Sequence, residues 1–322
     1  MANDLAVDVT QQFRPEFEQS WDIEFQTVKS TAADLCATYP VIGEYREFPL
    51  LKKTDSVRKI TKRFEETSPG DIDTGKRRVT TTPYLSSIAF DRKDLKKFGT
   101  LESPIGPTMM NQRAEIQRNL NSTIVGAAGS TGGLLGNAIE VDNDGTVSYP
   151  VFDSNYTVAT NFQFGGGGSN SGMSYDKLVK LKMELAKVDV RGQHGETNHP
   201  AELCLLLGYE QVVNLLRDPK MYNRDNATAR LEQVLAGEIH DVEGFTIRAL
   251  PDDVLPKDGS NIRTCVAFAK SAVAFGYNEM PNHELDVLPT KTHTVQSTYY
   301  FDWGFNRIWD QGVWKVNCLE DS

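Results

Sequence analysis

Residues 44–82 constrain the fold most, because they are rich in Lys, Arg and β-favouring residues and have few apolar side chains to bury. A turn signal, Ser-Pro-Gly-Asp at 68–71, stands in their middle, and it predicts two long antiparallel strands. An isolated two-stranded ribbon is only marginally stable in water. We therefore expect this ribbon to rest on another surface.

The charge of the chain is unevenly distributed. The 322 residues carry 34 Lys and Arg against 44 Asp and Glu, a net charge of -10 that argues against general binding to nucleic acids or anionic membranes. Residues 44–99 carry 14 basic and 9 acidic side chains, a net of +5, which leaves a net of -15 elsewhere. The basic stretch is either a solvated face or a surface that meets acidic surface on the next copy of the chain.

Composition and hydropathy indicate a globular protein without a membrane span. The chain is 39% hydrophobic and 24% charged, and its length suggests about two domains. The longest apolar runs, 203–207 and 265–269, have five residues each, whereas a bilayer span needs roughly 18 to 20. No secretory signal is visible at the N-terminus, so we expect synthesis in a cytosol.

Two helical segments are predicted in the first half of the chain. In the N-terminal arm, aromatic side chains recur every four residues, at Phe13, Phe17, Trp21 and Phe25. A longer helix is expected over 107–128, roughly 33 Å of rod, with one narrow apolar stripe that contains Met109, Ile116, Leu120, Ile124 and Ala127.

The second half alternates helix and strand patterns, as in a compact α/β or α+β layer. Helices are predicted over 174–188 and around an apolar stripe of Tyr209, Val212, Val213 and Leu216, and buried strands over 202–207 and 264–269. Near the C-terminus Tyr299, Phe301, Trp303 and Phe305 alternate along one strand face. An exposed aromatic side chain in that region would indicate a subunit contact.

No motif predicts catalysis, a cofactor or a metal ion. Residues 70–76 match the first seven positions of a phosphate-binding loop, but Arg77 replaces the Ser or Thr that ligates magnesium, and β-prone sequence follows instead of a helix. His194 and His199 share a loop without metal-ligand spacing. The four cysteines are widely spaced, which favours free thiols over a disulfide framework or a zinc site. We therefore expect a protein that is not an enzyme.

The order of these segments resembles the Hong Kong 97-type major capsid protein of tailed double-stranded DNA phages. Local phrases are similar as well, namely 238–247, 266–275, 288–291 and 312–316. The resemblance implies an α+β, Hong Kong 97-like capsid fold with four parts. These are an N-terminal arm (1–43), an extended β-loop (44–87), a peripheral domain with a long spine helix (88–148 and 286–322) and an axial domain (149–285).

The resemblance implies a subunit that self-assembles into pentamers and hexamers of an icosahedral phage head around the DNA genome. The implied location is the virion, after assembly in the host cytoplasm. The implied partners are further copies of the chain, a separate scaffolding protein, a portal, a decoration protein, and packaged double-stranded DNA bound without sequence specificity; no membrane is involved. Because no reacting lysine and asparagine can be matched, we expect a shell without covalent crosslinks. Candidate contacts between subunits are Phe13, Phe17, Trp21, Lys52, Lys53, Arg58, Lys59, Lys62, Arg63, Lys76, Arg77 and Arg78.

Two alternatives remain open from the sequence. An encapsulin-like compartment shares the fold but encloses an enzyme cargo. A cytosolic α/β enzyme with a site in the loop from His194 to His199 belongs to another class altogether. Because a fold does not determine a function, neither alternative is excluded by the pattern of helices and strands.

Overall fold

The computed structural model describes residues 32–51, 74–90, 105–142, 144–166, 168–188, 202–222, 241–288 and 294–320. Several residues singled out from the sequence lie outside this description. They are Phe13, Phe17, Trp21, Phe25, Lys52, Lys53, Arg58, Lys59, Lys62, Arg63, His194 and His199.

The described residues form strands and α-helices that we number in chain order. The helices are α1 (Ile105–Val125), α2 (Tyr175–Lys187), α3 (Tyr209–Arg217) and α4 (Pro219–Tyr222). The first strands are β1 (Thr38–Pro40), β2 (Tyr45–Leu51), β3 (Thr74–Thr80), β4 (Thr82–Phe90), β5 (Glu140–Val141), β6 (Val147–Ser148) and β7 (Thr157–Val158). The remaining strands are β8 (Leu203–Gly208), β9 (Asp241–Val242), β10 (Phe245–Leu250), β11 (Ile262–Ala269), β12 (Val273–Leu288), β13 (Thr294–Arg307) and β14 (Val313–Leu319).

The strands form three sheets. A six-stranded sheet has the order β7-β14-β11-β8-β10-β9, with β8 parallel to β10 and β7 parallel to β14. A four-stranded sheet has the order β1-β12-β13-β4, and a second four-stranded sheet, the hairpin sheet, has the order β2-β3-β5-β6. All six residues of β8 are buried, because the six-stranded sheet has its core on both faces of this strand.

Helix α1 packs across the β12-β13-β4 sheet, as its apolar stripe predicts. Ile116, Leu120 and Ile124 are buried, and they face a sheet surface that includes the buried aromatic side chains expected from the alternation, Tyr299, Phe301, Trp303 and Phe305. The helix stops at Val125, where Gly126 takes a left-handed backbone conformation (φ +65°). The chain then turns back so that Leu134 N–H donates to the carbonyl of Ile124 (2.8 Å).

Three segments differ from the sequence-based expectation. β4, expected in the extended loop, pairs with β13 instead of continuing the hairpin. β14, expected with the peripheral domain, pairs with β11 in the six-stranded sheet. Such long-range pairings are set by the partner strand, which local sequence does not encode.

The third difference concerns the orientation of α3. Gln211 and Leu215 are buried, whereas Tyr209 and Val213 of the predicted apolar stripe are 60% and 41% exposed. The buried amide of Gln211 donates a hydrogen bond to Glu320 (3.0 Å). The hydrogen bond from Gln211 to Glu320 therefore determines which face of α3 is buried.

A buried lysine connects α2 to the six-stranded sheet. Lys177 is fully buried, and its ammonium group donates to the carbonyls of Ser171 (2.8 Å), Gly172 (2.9 Å) and Asn317 (3.0 Å). Burial lowers the pKa of Lys177. Because all three ammonium protons have acceptors, the charge is compensated by backbone dipoles.

Replacing Lys177 by Met tests this anchor. We expect Lys177→Met to lower the free energy of unfolding by about 2–3 kcal/mol, because carbonyl groups that now accept a charged hydrogen bond lose their donor. Lys187→Met, at the 57% exposed end of the same helix, is the matched control and should change stability by less than about 0.5 kcal/mol. Equal effects of the two substitutions, measured by urea unfolding, would contradict the role of Lys177.

A buried ion pair joins the end of β14 to β11. Glu320 and Arg263 are both 4% exposed at the side chain and bond through two guanidinium nitrogens. Lys257 (2.8 Å) and Gln211 also donate to Glu320. Burial raises the pKa of Glu320, but the hydrogen bonds from Arg263, Lys257 and Gln211 outweigh it and hold the pKa at about 2.

This pair predicts a pH dependence of stability. Because the folded pKa of Glu320 lies below its usual value near 4.5, its stabilisation is complete above about pH 5 and is lost as the pH falls toward 2. Glu320→Gln should therefore cost about 3 kcal/mol at pH 7 and progressively less below pH 4.5 in urea titrations. Glu202→Gln, at a 66% exposed partner of Lys270, is the control. A difference between wild type and Glu320→Gln that stays constant with pH would contradict the expectation.

Candidate assembly surfaces and the junction of the three sheets

The described part of the basic stretch forms the base of the expected hairpin. β2 and β3 pair antiparallel from Tyr45 opposite Thr80 to Leu51 opposite Thr74. Lys76 (3.3 Å) and Arg78 (2.7 Å) both bond to Glu47 across the pair, and the guanidinium of Arg78 lies 4.0 Å from the ring centre of Tyr45. Lys76 remains 46% exposed, so its side chain still reaches the surface.

Arg77 does not fit the expected role as a surface contact. Its side chain is 9% exposed and bonds within its own chain, to Asp310 (2.7 Å) and Glu140 (3.3 Å). The period of two in a strand places Arg77 on the same face as the buried Gly75 and Val79. This alternation of exposed and buried positions was the sequence signal that distinguishes the buried Arg77 from the more exposed Lys76 and Arg78.

Asp310 lies where the three sheets meet, and sequence reasoning did not single it out. One carboxylate oxygen accepts from Arg77 of the hairpin sheet and the other from Arg307 at the end of β13 (2.9 Å). Asp310 itself opens the single turn that leads into β14 of the six-stranded sheet. We call the group Arg77, Glu140, Arg307 and Asp310 the junction.

Arg307 is fixed in the junction. Its side chain is fully buried, its Nη1 donates to the carbonyls of Leu134 and Gly136, and its guanidinium lies 4.9 Å from the ring centre of Phe152. Burial lowers the pKa of Arg307, while Asp310 opposes that shift. Lys315 lies 4.0 Å from the centre of the same Phe152 ring, and burial lowers its pKa as well.

The junction contains more buried donors than acceptors. Nε and Nη1 of Arg77 and Nη2 of Arg307 are buried and have no hydrogen-bond partner among the described residues. Such donors are unusual in folded proteins and are unfavourable to bury. The surplus lies mainly on Arg77, whose two ion pairs both use Nη2.

Asn306 joins two of the sheets beside the junction. The side chain is fully buried and donates to the carbonyls of Arg78 (2.7 Å) and Ile139 (3.0 Å), while its carbonyl oxygen accepts from Ile139 N–H (3.2 Å). Each of its hydrogen-bonding atoms therefore links β13 to the hairpin sheet or to the residue before β5.

A second candidate surface is the free edge of β12. β1 pairs with this strand only from Phe275 to Tyr277, and no other described strand pairs with the same edge. Residues 279–288, which we call the acidic edge, carry three exposed acidic side chains, Glu279, Glu284 and Asp286, that form no ion pair with the described residues. Their exposed apolar neighbours are Met280, Leu285 and Val287.

One aromatic side chain of the C-terminal region is exposed beside this edge. Tyr300 on β13 is 41% exposed and lies opposite Leu85 of β4, which is 60% exposed. An exposed aromatic side chain in the C-terminal region was the sequence-based sign of a subunit contact. Tyr300 therefore makes this sheet a candidate contact surface.

The described residues offer no grouping typical of catalysis. They contain no cluster of three or more metal-ligating side chains. All four cysteines are buried, and burial raises the pKa of Cys204 to about 12, which disfavours a thiolate. The described end of the phosphate-loop-like motif, Thr74–Lys76, lies within strand β3. A phosphate-binding loop would instead lead into a helix. No described helix is sufficiently long and apolar to span a membrane.

Solved phage head structures share this fold. The head of Helicobacter pylori bacteriophage KHP40 matches with a TM-score of 0.68 at 9% identity, over 98% of this chain and 97% of that one. The capsid of Ralstonia phage GP4 gives 0.64 at 9% identity over 96% of both chains. The structure from Mycobacterium phage Che8 gives 0.62 at 13% identity, over 94% of this chain and 97% of that one. The fold class expected from the sequence, the α+β Hong Kong 97-type capsid fold, is confirmed.

The amino-acid sequence also matches the model of a known protein family. The family model described as phage capsid protein matches residues 9–320, nearly the whole chain. The chain therefore belongs to the phage capsid protein family, and it is a structural shell subunit located in the virion capsid. A comparison with curated proteins finds no match.

The link made by Asn306 can be tested by truncation. We expect Asn306→Ala to lower the free energy of unfolding by about 2–4 kcal/mol, because the amide of Ile139 and the carbonyl of Arg78 lose their hydrogen bonds to the Asn306 side chain in a buried position, while the carbonyl of Ile139 keeps only its bond from the amide of Arg78. Asn282→Ala, at an exposed position on the neighbouring strand β12, is the control and should have an effect within about 0.5 kcal/mol. A neutral result for Asn306→Ala in chemical unfolding would contradict this role.

Proposed function

We propose that this capsid subunit assembles with further copies of itself into hexamers and pentamers of an icosahedral head that encloses double-stranded DNA. The supporting observation is the separation of complementary surfaces on one chain. The acidic edge is exposed and has no described strand partner, while the basic stretch has too little apolar surface to fold alone. Each surface gains a partner only on another copy.

The basic hairpin is the proposed occupant of the acidic edge of a neighbouring copy. Six basic side chains follow β2 directly, Lys52, Lys53, Arg58, Lys59, Lys62 and Arg63, with Asp55 as the only acidic residue among residues 52–63. Lys76 and Arg78 carry the same charge at the base of the hairpin. A long unpaired strand edge favours pairing with another chain, and its acidic side chains favour a basic one.

The remaining assignments complete the proposal. Phe13, Phe17 and Trp21 of the arm contact a neighbouring copy, and the chain is divided into an arm, an extended loop, a peripheral part and an axial part, with β4 and β14 paired outside the parts expected for them. A separate scaffolding protein, a portal and a decoration protein act with the shell. The shell holds together without covalent crosslinks, binds DNA without sequence specificity, and has no enzymatic activity. The match to phage capsid proteins supports this function over an encapsulin-like compartment or a cytosolic enzyme.

Charge reversal tests the proposed contact. We expect Glu284→Lys with Asp286→Lys to raise the protein concentration needed for assembly about tenfold or more, because like charges facing each other across an interface are unfavourable by several kcal/mol. Adding Lys59→Glu and Lys62→Glu should restore assembly. The control is Asp142→Lys with Asp253→Lys, which reverses two exposed carboxylates elsewhere.

Sedimentation and electron microscopy of the purified protein provide the readout. Megadalton particles of the wild-type chain support the function, and a stable monomer of about 36 kDa would contradict it. If the reversed variant assembles as well as wild type, only the contact at the acidic edge is wrong. A ladder of subunits on denaturing gels would contradict the absence of crosslinks.

A further inference from the structure

We propose that Asp310 is the positioning residue that sets the angle of the basic hairpin relative to the rest of the subunit, and that Arg77 is the partner it releases when that angle changes. The inference rests on the proposed function, because hexamers and pentamers built from one chain require the hairpin to meet its neighbour at more than one angle. It adds to that function a specific residue that holds, and can free, the hairpin.

The hairpin is connected to the body by two short pieces of backbone. On one side β1 ends at Pro40 and β2 begins at Tyr45, and Gly43 between them has φ +90° with open space around it. On the other side, Thr81 alone separates β3 from β4. Each connection thus joins the hairpin sheet to the β12-β13-β4 sheet within a few residues, which is the arrangement of a hinge.

The backbone pairing of β3 with β5 does not attach the hairpin to the body, because β5 and β6 belong to the hairpin sheet themselves. Side chains carry much of the attachment. Leu50 and Val79 pack against Ala274 and Ile308, and Asn306 donates to the carbonyl of Arg78. The ion pair from Arg77 to Asp310 is the charged contact that crosses from the hairpin to the body beside them.

The two arginines on Asp310 are not equivalent. Arg307 is held by Asp310, by two carbonyls and by Phe152, and it is fully buried, so it stays with the body. Arg77 is held through Nη2 alone and buries two donors without partners. Releasing Arg77 costs one ion pair but frees those donors to bind water.

Glu140 provides an acidic partner for Arg77 in the released position. Its carboxylate already lies 3.3 Å from Nη2 of Arg77, and it belongs to the same sheet. When the hairpin rotates, Arg77 exchanges Asp310 for Glu140 without leaving its charge unpaired. At Arg77 the two positions of the hairpin thus differ by one ion pair and the pairing of two donors.

Distance measurements between spin labels test the proposal on the full-length chain. One label is placed at Leu51→Cys on the hairpin and the other at Met110→Cys on α1, because both positions are exposed and the four native cysteines are buried. Pulsed electron paramagnetic resonance then reports the distribution of distances. With Asp310 and Arg77 intact, we expect one narrow distribution in the unassembled subunit.

Arg77→Gln and Asp310→Asn should each broaden this distribution or add a second distance. The double variant should behave like the single ones, since both remove the same ion pair. Lys76→Gln, which removes the neighbouring cation on the other face of β3, is the matched control and should leave the distribution unchanged. Arg77→Gln keeps the contact of Arg307 with Asp310, so it remains informative even if Asp310→Asn fails to fold.

Hydrogen exchange separates positioning from a merely structural role. Amides of β2 and β3 should exchange about tenfold faster in Arg77→Gln, while those of β8 and β11 keep their wild-type rates. Unchanged distances together with unchanged exchange in β2 and β3 would overturn the proposal, as would faster exchange spread equally over all three sheets. The distance and exchange measurements use the unassembled subunit, so they do not depend on particle formation. A wild-type chain that forms no particles would contradict the proposed function, whereas unchanged distances and exchange rates in the variants would contradict the role of Asp310 and Arg77.

Discussion

The carboxylate of Asp310 is the interaction on which the relative placement of the three sheets depends. The chain passes between the hairpin sheet and its neighbour through residues 41–44 and through Thr81, and from β13 to the six-stranded sheet through a single turn. Such short connections fix where the sheets meet but not the angle between them. Asp310 contacts one arginine from each neighbouring sheet and begins the turn into the strand of the third, so this carboxylate is the point at which side chains of all three sheets meet.

Two of the ionic clusters among the described residues differ in how completely their atoms are paired. Around Glu320, the carboxylate oxygens accept from three side chains, and Arg263 also donates to the carbonyls of Asp252 and Leu255. A buried pair whose remaining atoms are satisfied is expensive to break and keeps the six-stranded sheet as one unit. The junction around Asp310 instead leaves donors without partners. In the first cluster Arg263 and Glu320 are fully paired and only Gln211 Oε1 has no partner among the described residues, whereas in the second cluster two donors of Arg77 have none.

Local patterns in the sequence predicted the elements well, and long-range pairing less well. Helices α1 and α2, the aromatic face of β13 and the base of the hairpin follow from periodicity and turn signals, because each depends on neighbours close in sequence. The pairing of β14 with β11 was not predicted, because the two strands lie about fifty residues apart in the sequence. The orientation of α3 depends on Gln211 meeting Glu320, which no helical period reveals. For Arg77 the information was present, since strand alternation separates it from Lys76 and Arg78, but a run of like charges concealed it. Asp310 could not be found, because its role exists only where three distant segments meet.

The acidic side chains of β12 explain how a subunit with an open strand edge stays separate until the correct partner is available. A long unpaired edge with exposed Met280, Leu285 and Val287 would favour pairing between identical edges. Glu279, Glu284 and Asp286 oppose that pairing, because two such edges bring like charges together. Pro281 and the irregular register between Tyr277 and Asn282 further distort the edge. The same charges favour a basic ribbon, and residues 52–63, which follow β2, carry six basic side chains and one acidic one. In the proposed contact, one set of carboxylates thus disfavours the symmetric pairing of two edges and favours the asymmetric pairing with a basic segment, and repeated asymmetric contacts between identical subunits are what close a ring.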